Sequence, residues 1–254
     1  YYVYPEGIEI KGSSTEFDEN VWYKTLNKAV YMDELIRRHG AIMDEYDPEK
    51  KIGMIVDEWG TWYTCEPGTN PGFLYQQNTM RDALVAGITL NIYNKLSDRV
   101  KMANLAQIVN VLQAVILTEG EKMIKTPTYH VFDIYKYHQD AELVESSIET
   151  KQIGTEEEWQ VPNLTESVSV APDGTIHLTM TNLSIEESYD IETTIVDRNI
   201  TSVKGEIITE EMHSKKSFDD PQHVTAKSYK GPHITEKGLL FTIPACSVLY
   251  LELR

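Results

Sequence analysis

Two adjacent carboxylates, Asp57 and Glu58, close the apolar run Ile52-Gly53-Met54-Ile55-Val56 and are followed at once by Trp59, Trp62 and Tyr63. Carboxylates at the exit of a buried parallel strand stand where barrel enzymes assemble their active sites. Aromatic faces stack on the C–H surfaces of sugar rings, so acid beside indole points to carbohydrate chemistry. The same cluster also fits a plain packing role, with Asp57 capping a loop and the tryptophans filling a core. Asp57 and Glu58 are neighbours on an extended strand and point to opposite sides, which assigns Asp57 a structural role. His130 and His138, with Asp133 between them, are eight positions apart. That spacing lacks the i, i+4 pairing of helical zinc sites and reads as packing or hydrogen bonding. Ser13-Ser14 and Ser146-Ser147 lack a Gly-x-Ser-x-Gly elbow, and no glycine loop could cradle phosphate. No metal and no cofactor is expected.

The elements that must hold these residues change character along the chain. Val21, Leu26, Val30, Met32, Leu35 and Ile36 recur at helical intervals from about Asp18 to His39. Asp47-Pro48 breaks that helix, and the run Ile52 to Val56 has the continuous apolarity of a parallel strand covered on both faces. A second helix is expected from about Asn78 to Lys95, then a short strand Val100 to Ala103. An apolar segment from Ile108 to Thr118 leads to a helical stretch from about Thr128 to His138. Helices alternating with buried strands indicate parallel α/β architecture, and two βα repeats cannot close a barrel. Beyond about residue 140 the period becomes two: Val168 and Val170, then Ile176, Leu178 and Met180, then Ile191, Thr193 and Ile195. Pro172-Asp173-Gly174 reads as a tight turn, and Leu239 to Phe241 with Val248 to Leu253 supply two further strands, giving an antiparallel β-domain.

The chain has 254 residues, 41% of them hydrophobic, with 40 acidic and 23 basic side chains and a formal charge of −17. It is apolar enough for a globular core, and its charge repels phosphate backbones and anionic membranes, so neither nucleic acid nor membrane is an expected partner. Cys65 and Cys246 have no redox or zinc spacing and read as packing residues. No stretch approaches the roughly 20 apolar residues of a bilayer span, so the chain reads as soluble. The opening Tyr1-Tyr2-Val3-Tyr4-Pro5 resembles the end of a buried strand, and further polypeptide is expected upstream of it.

The run Ile52 to Tyr63, the stretch from Asp82-Ala83-Leu84 to Asp98-Arg99-Val100-Lys101-Met102-Ala103-Asn104-Leu105-Ala106-Gln107-Ile108-Val109-Asn110-Val111, and the ending Pro244 to Leu253 resemble glycoside hydrolase family 51, the α-L-arabinofuranosidases. The resemblance implies the C-terminal portion of a (β/α)8 TIM barrel over residues 1–139, from the end of strand six to helix eight, and a jelly-roll-like β-sandwich over 140–254. It implies a retaining hydrolase that releases terminal α-L-arabinofuranosyl units from arabinan, arabinoxylan or oligosaccharides. Glu58 matches the catalytic nucleophile, Tyr2 the tyrosine that hydrogen-bonds it, Trp62 an aromatic pocket wall, and Gln107 a glutamine contacting the sugar ring. The family's acid/base follows an Asn at the end of strand four. No Asn-Glu pair occurs here, which implies that the acid lies in a missing N-terminal half. The family often has Asn where this chain has Gly60. A homo-oligomer is the expected assembly, and a β-xylosidase or a noncatalytic carbohydrate-binding fragment are the alternative readings.

Overall fold

A computed structural model describes all 254 residues. Strands β1 (Tyr2–Val3), β2 (Met54–Thr61) and β3 (Val100–Leu105) form a parallel sheet in that order, linked by helices α1 (Glu19–Tyr46) and α2 (Met80–Lys95). The Asp18 carboxylate caps α1 by accepting from the Val21 amide at 2.9 Å. With no proline between Pro5 and Pro48, α1 continues past His39 to Tyr46. There Asp47 accepts the Ile52 amide at 2.8 Å, and the buried Arg99 donates to Asp47 at 2.8 Å and also pairs with Asp44. The end of α1 is thereby tied to β2 and β3. Ile55 and Met102, paired in register, keep 53% exposure each within this chain.

The apolar segment after β3 is a loop leading into a hairpin, β4 (Ile116–Glu119) and β5 (Lys122–Lys125). Helix α3 (Pro127–Tyr135) follows, and Lys136–His138 continue it as one 3-10 turn. The remainder is antiparallel, with strands β6 (Glu142–Val144), β7 (Gln152–Ile153), β8 (Val161–Pro162), β9 (Leu164–Val170), β10 (Ile176–Asn182), β11 (Tyr189–Glu192), β12 (Val203–Thr209), β13 (Lys227–Tyr229), β14 (His233–Ile234), β15 (Leu239–Ile243) and β16 (Ser247–Leu253). A six-stranded sheet, β13-β12-β16-β10-β9-β6, packs on a three-stranded sheet, β11-β15-β14, to make a β-sandwich.

Alternation along the strands sorts two cores. Leu249, Leu251 and Leu253 face the second sheet together with Phe241 and Ile243. Val248, Tyr250 and Ile208 face the helices and join a larger core with Trp22, Leu84, Ile88 and Trp59. Helix α2 is therefore buried on nearly every side, between the parallel sheet and the sandwich. A Cβ on Gly87 would come within 2.6 Å of Thr181 Cγ2, so this glycine sets how closely α2 approaches β10. The polar face of β10 is buried as well. Asn91 of α2 donates to Thr165 at 2.9 Å and accepts from Ser167 at 2.9 Å, Thr179 at 2.8 Å and Tyr135 at 3.0 Å.

Candidate active site at the ends of the parallel strands

The parallel register places Tyr2 opposite Gly60 and Leu105 opposite Trp59, so the C-terminal ends of all three strands meet at one place. Tyr2 Oη donates to Glu58 Oε2 at 2.8 Å, and the main-chain nitrogen of Tyr1 donates to the Glu58 carbonyl at 2.9 Å. The Tyr1 phenol turns elsewhere, to the carbonyl of Lys28 at 2.9 Å. Partial burial, and then the acceptor Glu58, raise the Tyr2 pKa well above the ordinary phenol range, so Tyr2 stays protonated and acts as donor. Glu58 itself is solvent-exposed. The Trp62 amide donates to the Val3 carbonyl at 3.0 Å, which brings the indole edge-on to Tyr2, with ring centroids 5.0 Å apart, and stacked with Tyr4 at 5.7 Å. A carboxylate held by one phenol beside an aromatic wall is an arrangement suited to nucleophilic attack on a sugar.

Beneath these residues lies a buried amide network. Gln113 Oε1 accepts from the Thr61 amide at 2.9 Å, while its Nε2 donates to the Asp82 carbonyl at 2.9 Å. Gln76 Oε1 accepts from the Tyr63 amide at 2.8 Å. Thr61 Oγ1 donates to Asp82 Oδ1 at 2.7 Å, and the other Asp82 oxygen accepts the Thr79 amide at 2.8 Å, completing the N-terminal capping box of α2. Burial raises the Asp82 pKa against these donors. The chain leaving Glu58 is thus clamped to the start of α2. Gly60 has φ of +141°, and a Cβ there would lie 3.3 Å from Gln113 Oε1, so the backbone itself calls for glycine at this position. Gln76 and Gln113 carry no motif that sequence reasoning could use; the Thr79-x-x-Asp82 capping pattern was the one available signal.

Gln107 follows the cis peptide Ala106-Gln107 and is exposed beyond the end of β3, where the Ala106 amide donates to the Trp59 carbonyl at 3.0 Å. The structure brings Tyr2, Glu58 and Trp62 into contact as one cluster; Gln107 lies on the adjoining strand end, with no hydrogen bond to Glu58. Trp59 is buried, stacked on Phe132 at 6.0 Å, and belongs to the core. His138 is far from any metal-like pairing: its ring nitrogens meet Ser169 Oγ at 2.7 Å and Thr179 Oγ1 at 3.1 Å. His130 Nε2 accepts from Lys216 Nζ at 2.9 Å, with burial as the main cause holding the imidazole down at about 4 and the amine at about 8. Cys65 and Cys246 are free thiols. No helix is long and apolar enough to cross a membrane.

The crystal structure of a GH51 arabinofuranosidase from Xanthomonas axonopodis pv. citri superposes with a TM-score of 0.97 at 44% identity, covering 100% of this chain and 52% of that one. The arabinose complex of a Thermotoga maritima α-L-arabinofuranosidase shares the fold, with a TM-score of 0.77 at 21% identity over 91% of this chain and 49% of that one. An intracellular exo-α-L-arabinofuranosidase of Bacteroides ovatus is 39% identical over 100% of this chain and 50% of its own length. The family model of the α-L-arabinofuranosidase C-terminal domain matches residues 57–247. The chain belongs to the family 51 α-L-arabinofuranosidases and corresponds to their C-terminal half. It spans about half the length of the curated relatives it matches.

Proposed function

We propose that this chain is the nucleophile-bearing half of a retaining exo-acting α-L-arabinofuranosidase, with residues 1–139 supplying the last strands and helices of a (β/α)8 barrel and 140–254 a jelly-roll-like sandwich. The observation that carries this reading is the Tyr2 to Glu58 hydrogen bond at the ends of parallel strands. Tyr2 occupies Oε2 and leaves Oε1 free to attack the anomeric carbon, forming a glycosyl-enzyme as the leaving oxygen is protonated by an acid. Water, deprotonated by that same group, then releases arabinose with its configuration retained. Trp62 forms a wall of the sugar pocket and Gln107 reaches the ring from the end of β3.

The family resemblance implies an acid/base that follows an Asn, and no Glu follows an Asn in these residues, so this reading assigns the acid/base to the half of the relatives' length that the chain does not span. A groove of about 840 Å³ between α1 and β2, lined by Met32, Leu35, Ile36, Met54 and Val56, runs up to Glu58. β1 pairs with β2 in parallel at Gly60 and Thr61, just past Glu58. Names of relatives support the substrate class, the exo-α-L-arabinofuranosidase of Bacteroides ovatus foremost. The test uses the full-length enzyme with a 2-fluoro arabinofuranosyl fluoride and mass spectrometry of peptides. A label on Glu58 is expected; a label on another carboxylate, or inverted product by NMR, overturns the assignment. Preference for an aryl β-xyloside over an aryl α-L-arabinofuranoside would replace it with a xylosidase.

A further inference from the structure

On the helix-facing side of the six-stranded sheet, Tyr137 lies flat over two rings. It stacks on Tyr250 at 4.9 Å and 16°, and on His177 at 5.7 Å and 20°. Both supports belong to the same face of β16 and β10, so the far side of the Tyr137 ring turns away from the sheet, and the residue keeps 37% exposure. The Lys136 ammonium, held by Asp133, lies over the ring at 5.1 Å from its centroid, and together they offer a ring edge and a cationic donor. Beside this platform a cleft of about 630 Å³ runs across β16, β12 and β13. Glu206 stands opposite Tyr250, and Ser228 opposite Glu206, so Tyr250, Glu206 and Ser228 form one row along the cleft. Glu252 is engaged by Arg254 at 3.1 Å and by Lys204 at 3.6 Å. The side chains of Glu206, Ser228 and Lys230, in contrast, make no hydrogen bond or ion pair within the chain, although all three line the cleft.

An aromatic face with unengaged acceptors and donors around it matches a specific chemistry. Acidic polymers are disfavoured by Glu206, Glu252 and the overall charge of −17, and cations by Lys204 and Lys230. A neutral polyhydroxyl ring satisfies both the flat apolar surface and the unspent hydrogen-bonding groups. None of the residues lining this cleft lines the groove that leads to Glu58. We propose that the Tyr137 cleft is a noncatalytic saccharide-binding subsite that holds a neutral pentose polymer on the sandwich. The choice of a pentose polymer rests on the arabinofuranosidase reading; the saccharide class rests on the cleft itself.

The test is native gel electrophoresis of the full-length enzyme in gels with or without soluble arabinan or arabinoxylan, using Glu58→Gln as the background to suppress turnover. That protein is expected to be retarded by at least one polymer. Adding Ser228→Arg, which fills the cleft from an exposed position, is expected to weaken retardation about fivefold, as is Tyr137→Ala. Ser228→Arg alone should hydrolyse an aryl α-L-arabinofuranoside at the parental rate. Unchanged retardation of the Ser228→Arg protein overturns the subsite, as does the absence of retardation in the background protein. Failure of the parental enzyme to cleave the aryl arabinoside would overturn the catalytic reading and leave the gel result to decide the cleft.

Discussion

The end of the parallel sheet and the seam between helix α2 and the sandwich are both rich in polar side chains, and they use them in opposite ways. At the seam, Asn91, Ser167 and Thr179 are buried and answer one another, and His138 has both ring nitrogens engaged by hydroxyls. At the sheet end, Glu58 and Gln107 are exposed, and the only side-chain bond to the Glu58 carboxylate comes from Tyr2. Buried polar groups with every partner supplied stabilise a particular packing. A carboxylate with an oxygen left free is available for chemistry. The clamp of Gln76, Gln113 and Asp82 joins the two regimes: its groups are buried and bonded like those of the seam, and what they hold is the backbone that carries Glu58.

If this division is right, substitutions at the sheet end should cost activity and those at the seam should cost stability. In the full-length enzyme, Glu58→Gln should lower kcat by ~10³-fold or more while leaving the unfolding midpoint unmoved, which steady-state kinetics and thermal melts together check. Near-normal turnover would dissolve the comparison. At the seam, burial and then the neighbouring His177 hold the His138 pKa at about 4, against about 6.5 when exposed. Between those values the unfolded chain takes up the proton and the folded chain does not. Stability from this residue is therefore complete above about pH 6.5 and falls by up to about 3 kcal/mol as the pH drops towards 4. Denaturant titrations of His138→Gln across that window should show a shallower slope than the parent, and equal slopes would refute the assignment. Gly87→Ala should destabilise by about 2 kcal/mol through the close approach to Thr181, with kcat preserved in the folded fraction. The smallest effect is expected for Tyr2→Phe. Losing one hydrogen bond to an ionised group should lower kcat about tenfold with little change in midpoint, and a loss equal to that of Glu58→Gln would give Tyr2 a larger part than orientation.

Much of this is readable in the sequence. Helical spacing locates α1 and α2, and period-two alternation locates β9, β10, β15 and β16, whereas β12 escapes it because Lys204, Gly205 and Glu206 interrupt the apolar pattern, and the three-residue β13, Lys-Ser-Tyr, is too short and polar to show a period. The hairpin β4–β5 escapes as well, since its apolar residues cannot be told from a buried segment by composition. At the site, Asp57-Glu58-Trp59 points to carbohydrate chemistry, and the family resemblance points to Tyr2, Trp62 and Gln107. That Trp59 fills the core while Trp62 stands against Tyr2 could not be read from two tryptophans a few residues apart.

The sequence by itself determined helices α1 and α2, the longer sandwich strands, the family and the acidic strand end, because periodicity and local motifs act over short stretches of chain. Only the tertiary structure decided that Gln113 and Gln76 clamp the backbone at Thr61 and Tyr63, and that the polar face of β10 is buried under α2. Both depend on which chain segments lie side by side. Thr, Ser and Asn on alternate strand positions suit water as well as they suit the hydroxyls and amides of a neighbouring helix, and packing chooses between the two.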